Sequence, residues 1–241
     1  MKWAIPQQLY LNLCAGSLLL IAPLDTLAHG EDDPLLTRLT IEKIETRATD
    51  GPDSGVLEGE FWAGYDLHKL KLRADIEGHA GETEAAELQL LYSRAIAPYW
   101  NLETGWRHDL RPQPERDWLV VGVEGLTPWS VAINASLFMG EGGQTGARLE
   151  AEQEWHLSQR WVLSPELEMN VYGKRDAATG VGSGLADIEM GLRLRYQVTR
   201  HFAPYAGVNW NRLFGDSREL ARSHGEQSED SQIVFGFTAW Y

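Results

Sequence analysis

Ser231-QIVFGFTAW-Tyr241 is the stretch of sequence that decides the fold. Its apolar residues Ile233, Phe235, Phe237 and Ala239 alternate with polar or small ones, which is the period of a β-strand. The length suits a strand that crosses a bilayer at a tilt. An apolar edge strand promotes aggregation unless a closed barrel pairs it. The final aromatic residue also resembles the C-terminal signal that outer-membrane barrels present to their assembly machinery.

Alternating segments of this kind recur along the chain, with turn residues between them. They predict an all-β protein, a transmembrane antiparallel up-and-down β-barrel of about twelve strands, with ten as the alternative. An even number places both ends of the barrel chain on one side of the membrane. The predicted strands lie at 35–47, 56–66, 69–79, 83–95, 99–109, 116–126, 130–140, 146–157, 160–173, 184–198, 202–215 and 230–241.

The connections between these segments alternate in length, which supports the strand count. Every second connection is short and is predicted to face the periplasm, as at Ser158-Gln159. The others are predicted to face outward, and most are longer, up to the stretch 216–229. Ala80–Glu82 is the exception, because it is short where a long loop is expected.

The N-terminal region predicts a secretory signal peptide over residues 1–28. Lys2 is followed by a mostly apolar run, and Thr26-Leu27-Ala28 has the small-x-small pattern of a cleavage site. Cleavage leaves a short segment over 29–34 and the barrel over 35–241, and it removes Cys14, the only cysteine. Thiolate chemistry and disulfides are therefore excluded. The predicted location is the outer membrane of a Gram-negative cell.

The composition is strongly acidic, with a formal net charge of −14. Negative charge argues against a nucleic-acid partner and favours the attraction of cations. Ten tryptophans are present, and most lie near predicted strand ends, as in an aromatic girdle. The tryptophans assigned to this pattern are Trp62, Trp100, Trp106, Trp118, Trp129, Trp155, Trp161, Trp210 and Trp240.

Strand parity predicts a charged lumen, because charges facing lipid would be costly. Two interpretations stay open: paired charges that fill the barrel, or an excess of acids that concentrates small cations. The cationic side chains that are predicted to face the lumen are Lys71, Arg73, Arg107, Arg148, Arg193 and Arg195. The predicted lumen acids are Glu58, Glu60, Asp75, Glu77, Glu150, Glu152, Glu154, Glu166, Glu168, Asp187 and Glu189, together with Asp66, Glu87, Glu103, Asp109 and Glu124.

No short metal-binding motif is present, so candidate ligands are chosen by position. Imidazole with carboxylate suits Cu(II), and methionine suits Cu(I). Parity directs two of the histidines into the lumen, and others fall at outer strand ends or in loops. If cleavage follows Ala28, the new N-terminal amine and the imidazole of His29 could chelate Cu(II). The candidate metal ligands are His29, His79, His108, Met139, His156 and His224.

Several long segments resemble the copper resistance protein B family. They include Leu88-QLLYSRAIAPYWNLETGWRH-Asp109, Ser164-PELEMNVYG-Lys174, Gly182-SGLADIEMGLRLR-Tyr196 and Phe202-APYAGVNWNRLF-Gly215. The resemblance runs from about Asp33 to the end. It implies an outer-membrane barrel that binds or passes copper ions as ligand or cargo, beside other copper-handling proteins such as a periplasmic copper oxidase or carrier.

One departure from the family concerns the segment before the barrel. Family members commonly carry a Met- and His-rich stretch there, whereas this chain has only His29-GED-Asp33. One imidazole and no methionine cannot supply the repeated soft ligands that Cu(I) prefers. Copper chemistry that depends on that segment is therefore not expected here.

The main hypothesis is a non-catalytic copper-handling barrel in contact with outer-membrane lipid. The alternative is a passive cation-selective pore or a structural barrel. An outer-membrane hydrolase is disfavoured, because the only His-x-Ser triplet, His156-Leu157-Ser158, falls at a turn. The protein is predicted not to be an enzyme.

Overall fold

The computed structural model of this protein describes residues 34–49, 53–79, 82–225 and 227–241. The predicted signal peptide, 1–28, and the candidate ligand His29 lie outside these described residues. The regular secondary structure of the described part is β-sheet, apart from one α-helix and one 3-10 turn.

Twelve long strands make up the sheet. Most of the predicted strands agree with the observed bounds within two residues, and 116–126 agrees at both ends. The strand that begins at Thr145 is interrupted at Glu154 and continues as the two-residue segment Trp155–His156. The strands are β1 (Leu36–Ala48), β2 (Ser54–Gly64), β3 (His68–His79), β4 (Glu82–Ala97), β5 (Trp100–Arg111), β6 (Arg116–Leu126), β7 (Val131–Gly140), β8 (Thr145–Gln153), β9 (Trp161–Tyr172), β10 (Gly184–Tyr196), β11 (Phe202–Leu213) and β12 (Glu229–Trp240).

Each strand pairs antiparallel with the next one in the chain, and β12 pairs with β1. In that last ladder, Ile44 is opposite Phe237 and Thr46 is opposite Phe235. The sheet is therefore a closed up-and-down barrel, and the prediction of twelve strands is confirmed. Closure satisfies the backbone groups of the two terminal strands, which an open sheet would leave unpaired.

Alternation of side chains gives the barrel an apolar outer surface and a polar interior. On β3, Leu70 and Leu72 are exposed on the outside while Lys71 between them is buried inside. A one-residue slip would put charges on the outer face, so the register is strongly specified. Trp118 is a correction to the predicted girdle, because it shares the inward parity of Val120 and is buried.

One irregularity breaks the alternation, a β-bulge in β1. Leu39 and Ile41 face outward, but after the bulge the outward residues are Ile44 and Thr46. The register shift lies between Ile41 and Lys43 on the side of β2. A bulge adds one residue to one strand and changes which side chains face each way.

The two ends of the barrel differ. The turn end carries the start of β1, the end of β12 and the short connections 65–67, 98–99, 127–130, 157–160 and 197–201. The opposite, loop end carries the connections 112–115, 141–144, 173–183 and 214–228. The last of these contains helix α1 (Gly215–His224), where the sequence predicted only a loop. No helix among the described residues is long and apolar enough to cross a membrane.

Candidate cation pathway in the barrel lumen

A cavity of about 750 Å³ occupies the lumen. Arg38 and Trp240 line it near the turn end, and Arg111 and Lys174 line it near the loop end. Carboxylates outnumber cationic side chains along its wall. The interior is therefore a polar, acid-rich space bounded by residues from both ends of the strands.

The most deeply buried ion pairs connect β1 with β10. Arg193 Nε donates to Glu45 Oε2 at 2.8 Å, and its Nη1 donates to Glu166 at 2.8 Å. Arg47 Nε donates to Glu45 at 2.8 Å, and Arg47 Nη2 reaches Glu189 on β10 at 2.9 Å. Only 1% of the Arg193 side chain is exposed. These pairs hold the cations against the wall, where each charge is matched.

A second network joins β2, β3, β5 and β6. Arg73 Nε donates to Glu60 at 2.6 Å, and its Nη1 lies 3.2 Å from Glu103. Lys71 Nζ lies 2.9 Å from Glu103 and also contacts Glu124. Both cations therefore share the same carboxylates and are fully neutralised.

A third network crosses the lumen from β8 to β4. Arg148 Nη2 donates to Glu87 at 3.0 Å, and Arg107 Nη2 lies 2.8 Å from the same carboxylate. Arg107 also donates to Asp109 at 2.7 Å. Across all three networks, each cation contacts at least two carboxylates, as Lys43 and Arg195 also do.

Carboxylates also stand opposite one another in the strand register. Glu58, Asp75 and Glu87 are direct neighbours on β2, β3 and β4. Like charges directly opposite are destabilising unless a counter-charge lies between them. A second row of Glu150, Glu168 and Glu189 has the same arrangement on β8, β9 and β10.

Some of the acids have weak or no cationic partners. The side chains of Glu42 and Asp75 have no hydrogen bond or ion pair within the described part of the chain. Glu150 is 3.9 Å from its cation, Arg148, and 40% of its side chain is exposed. The paired cations are far less exposed: 7% for the Arg107 side chain. Between the two ends of the barrel, the wall therefore presents weakly paired carboxylates to the cavity and holds its cations in ion pairs.

The structure places Glu77, Glu152, Glu154 and Asp187 on the inward face as predicted, whereas Asp66 is a correction, because it lies in the exposed connection 65–67 and not on a strand face. Glu152 and Glu154 accept hydrogen bonds from Arg195 at 2.6 and 3.1 Å. Glu77 lies 3.8 Å from Arg47. Asp187 accepts a hydrogen bond from Asn170 at 3.0 Å. These acids belong to the same lumen surface as the two rows.

The candidate metal ligands do not come together. His79 is at the loop end and lies 2.8 Å from Glu84, while His156 is exposed at the turn end. His224 is the last residue of α1. Met139 faces outward with 49% of its surface exposed. Among the described residues, no group of three His, Cys, Asp or Glu side chains is arranged to hold a metal ion.

His108 lies on the outer surface of the barrel. Its ring stacks on Trp106 with centroids 5.3 Å apart, and its Nδ1 is 2.8 Å from Asp117. Trp106 donates to the same carboxylate at 2.9 Å. Parity places this group opposite to the lumen, because the neighbouring Arg107 faces inward. His108 therefore does not contribute to the cavity.

Four charged residues of β1 were missed by the parity argument: Glu42, Lys43, Glu45 and Arg47. Uninterrupted alternation cannot put both Glu42 and Lys43 into the cavity, yet both line it because of the bulge. The signal was present in the sequence, since the apolar positions change phase between Ile41 and Ile44. A change of phase within one strand indicates a bulge.

The loop end is held by a cluster around Asp176. Arg116 donates to Asp176 Oδ2 through Nε at 2.9 Å and Nη2 at 2.7 Å, and Gln144 donates to it at 3.0 Å. Partial burial acts in the other direction, but these hydrogen bonds hold the pKa of Asp176 below its ordinary value of 3.8. We call this cluster the Asp176 latch. It ties connection 173–183 to the start of β6 and to connection 141–144.

Known proteins include a family whose members are similar in sequence to this barrel. The family model described as copper resistance protein B precursor (CopB) matches residues 35–241, almost the whole barrel. The chain belongs to the copper resistance protein B family. It is 38% identical over 216 residues to copper resistance protein B of Escherichia coli, which covers 88% of this chain and 72% of that protein.

A second relative and two solved structures agree with this family and fold. The copper resistance protein B homolog of Pseudomonas syringae pv. tomato is 37% identical, over 87% of this chain and 71% of that protein. The NanC porin gives a TM-score of 0.55 at 11% identity, over 84% of this chain and 99% of that one. The KdgM porin gives 0.51 at 12% identity, over 85% and 98%. At these identities the likeness concerns the fold alone, which is that of an outer-membrane barrel.

Proposed function

We propose that this member of the copper resistance protein B family passes copper ions through its acidic lumen without catalysing a reaction. The observation that carries the proposal is the unequal exposure of the lumen charges. Arginines are buried against carboxylates, while Glu150 and Glu168 keep 40% and 36% of their side chains exposed. A cation in the cavity therefore meets carboxylate oxygens at several positions.

Transit requires sites that attract an ion and also release it. The rows Glu58–Asp75–Glu87 and Glu150–Glu168–Glu189 offer oxygen ligands in sequence instead of one closed cage. Oxygen donors suit Cu(II) better than Cu(I), which prefers sulfur. We therefore propose Cu(II) as the ion that these rows attract.

The cellular setting is part of the same proposal. Residues 1–28 would direct the chain out of the cytoplasm and be removed, which leaves the segment 29–34 before the barrel. The barrel would lie in the outer membrane with its turn end toward the periplasm. A periplasmic copper oxidase or carrier would then meet the turn end, and outer-membrane lipid would surround the apolar wall.

The test uses cells that lack the gene and measures their copper content after exposure to copper. They receive the wild-type gene or the lumen variant Glu42→Gln, Asp75→Asn, Glu150→Gln. These three acids are chosen because neutralising Glu152 or Glu154 would instead remove a close partner of Arg195. The wild type is expected to alter cellular copper, and the lumen variant is expected to lose most of that effect.

A matched control removes the same charge outside the lumen, with Glu141→Gln, Glu219→Gln and Glu229→Gln in connections and at a strand end. It is expected to behave as the wild type. Equal copper content with wild type and lumen variant, at equal amounts of folded barrel, would refute the proposal.

A passive cation pore is the second candidate, and the absence of a three-ligand metal cluster among the described residues favours it. The two candidate functions are distinguished by whether another cation competes with copper for passage. If the lumen handles copper, excess Mg²⁺ leaves the change in copper content intact. If the barrel is a general cation pore, Mg²⁺ reduces copper and potassium movement alike.

A further inference from the structure

One sector of the lumen wall is apolar, in contrast to the acid rows. Leu91, Trp118, Val120 and Phe138 form a buried cluster on the inward faces of β4, β6 and β7, and Tyr172 of β9 packs against it. Trp118 and Phe138 are only 6% and 3% exposed although both line the cavity. We call Trp118, Phe138 and Tyr172 the aromatic ledge.

The ledge is held from several sides. The Trp118 ring contacts Phe138 edge-on at 6.5 Å between centroids and Tyr172 at 6.3 Å. Trp118 Nε1 donates to Asp109 at 2.8 Å. The Arg107 guanidinium lies 4.7 Å from the Phe138 ring centroid, which is a cation–π distance. Aromatic pairs and cation–π contacts of this kind add to the stabilisation from burial.

Two glycines make room for these rings. A Cβ at Gly140 would lie 2.8 Å from the Trp118 ring, and a Cβ at Gly146 would lie 3.2 Å from the Tyr172 ring. Both glycines are inward-facing positions beside the ledge in the strand register. The rings of Trp118 and Tyr172 therefore pack directly against the backbone of β7 and β8.

The ledge and the Arg107–Glu87–Arg148 bridge fill the same sector. Glu87 on β4 is joined to Arg107 on β5 and to Arg148 on β8, so the bridge crosses the lumen next to the rings. Arg148 itself lies 5.8 Å from the Phe138 ring centroid. Glu42, Asp75 and Glu150 line the same cavity.

We propose that the aromatic ledge is the size filter of the barrel: it narrows the lumen so that small cations pass along the acid rows and solutes of sugar size are excluded. This proposal depends on the lumen being a conduit, as in the proposed function. It adds a separate property, because the acid rows select solutes by their charge and the ledge selects them by their size.

The test reconstitutes purified full-length protein in liposomes and planar bilayers. Swelling with arabinose and then sucrose measures passage of neutral solutes, and potassium chloride conductance measures passage of ions. The wild type is expected to conduct ions and to show no swelling with either sugar. Phe138→Ala and the double variant Trp118→Ala, Phe138→Ala are expected to admit arabinose at least tenfold faster than wild type and to remain cation-selective.

Two further proteins make the outcome decisive. Trp129→Ala is the control, because Trp129 lies in a turn with 79% of its surface exposed, and it is expected to exclude sugars. Folding of each variant is checked by gel mobility with and without heating. If the double variant does not fold, conductance of the wild type with polyethylene glycols of graded size measures the filter directly.

The outcomes separate the two proposals. Sucrose entry through the wild type, no ion conductance at all, or a folded Phe138→Ala barrel that still excludes arabinose would overturn the size filter. The lumen variant of the preceding section is expected to lose cation preference and still exclude sugars. If only the copper result fails while the ledge variants admit sugar, the size filter stands and the copper function falls.

Discussion

At the scale of single residues, Glu45 is the carboxylate whose loss is expected to cost most. It accepts hydrogen bonds from both Arg193 and Arg47, and its side chain is fully covered. Removing one member of a buried pair leaves an uncompensated charge, which typically costs about 3–5 kcal/mol. We expect Glu45→Gln to lower the free energy of unfolding by that amount, measured by urea unfolding in detergent or lipid vesicles.

The matched control is Arg212→Gln. Its partner Glu229 is 3.8 Å away, and both side chains are largely exposed. An exposed pair contributes about 1 kcal/mol or less, so this variant is expected to unfold almost as the wild type does. Equal decreases in the free energy of unfolding of the two variants would show that the buried network stabilises the barrel no more than an exposed ion pair does.

At the scale of elements, the bulge in β1 sets which face of the strand enters the lumen. Deleting Glu42 would remove the extra residue, and unbroken alternation would then leave Glu45 and Arg47 on the lumen side. Deleting Ala74 on β3, where the ladder has no bulge, would instead turn the charged residues on one side of the deletion toward lipid, at a cost of kilocalories per charge. We expect the Glu42 deletion to give a heat-modifiable barrel on gels and the Ala74 deletion to give none. Equal folding of the two variants would show that parity does not fix the faces of these strands.

The Asp176 latch is the second element with a testable role. In Asp176→Asn the ion pair with Arg116 is lost, so connection 173–183 is expected to loosen. Trypsin should then cut after Lys174 or Arg175 several-fold faster than in wild type at pH 7. Glu141→Gln, on the neighbouring connection, is the control and is expected to be cut at the wild-type rate. Equal cutting of wild type and Asp176→Asn would rule out the latch.

The latch also has a defined pH dependence. The pKa of Asp176 is lowered in the folded protein, so its stabilising contribution is present above the ordinary value of 3.8. The contribution is lost as the pH falls through the lower folded-state pKa. Hydrogen exchange of 173–183, corrected for intrinsic rates, is expected to stay slow at pH 5 and rise only below pH 3.8. Loosening between pH 7 and pH 5 would contradict this account.

At the scale of the whole molecule, the excess of lumen acids is expected to make the barrel cation-selective. Salt screens charges over about 10 Å at 0.1 M and about 3 Å at 1 M. The reversal potential of the wild type in a potassium chloride gradient should therefore indicate strong cation preference at low salt and a weak one at high salt. The variant Glu42→Gln, Asp75→Asn, Glu150→Gln should be less selective at low salt. Anion preference would contradict the picture of an acidic pathway.

The sequence predicted most of the barrel because its outer wall obeys a simple period. β6 was located at both ends, since lipid on one face and charge on the other leave one register. Helix α1 was missed because it is short and polar and lies inside a connection. The bulge was missed because strict alternation was assumed along the whole of each strand.

The sequence predicted which strand face carries the residues of the candidate site, but it did not predict which of them form ion pairs with each other. Parity assigned Glu87 and Arg148 to the lumen, yet their contact joins β4 to β8, which are not neighbours, and depends on the curvature that closes the barrel. The ledge was missed for a related reason, because Trp118 near a strand end has the appearance of a girdle residue. Its inward parity was visible, but the glycines that accommodate it become meaningful only in three dimensions.

The pairs from β1 to β10 have a consequence for the seam between the first and last strands. Glu45–Arg193 and Arg47–Glu189 both span β12 and β11 from the inside, so they act as a clasp across the β1–β12 ladder. Parting those two strands would pull apart both pairs and open buried charges toward hydrocarbon. Opening the wall at its seam is therefore costly, and under the proposed function a copper ion in the lumen would leave only through one end of the barrel.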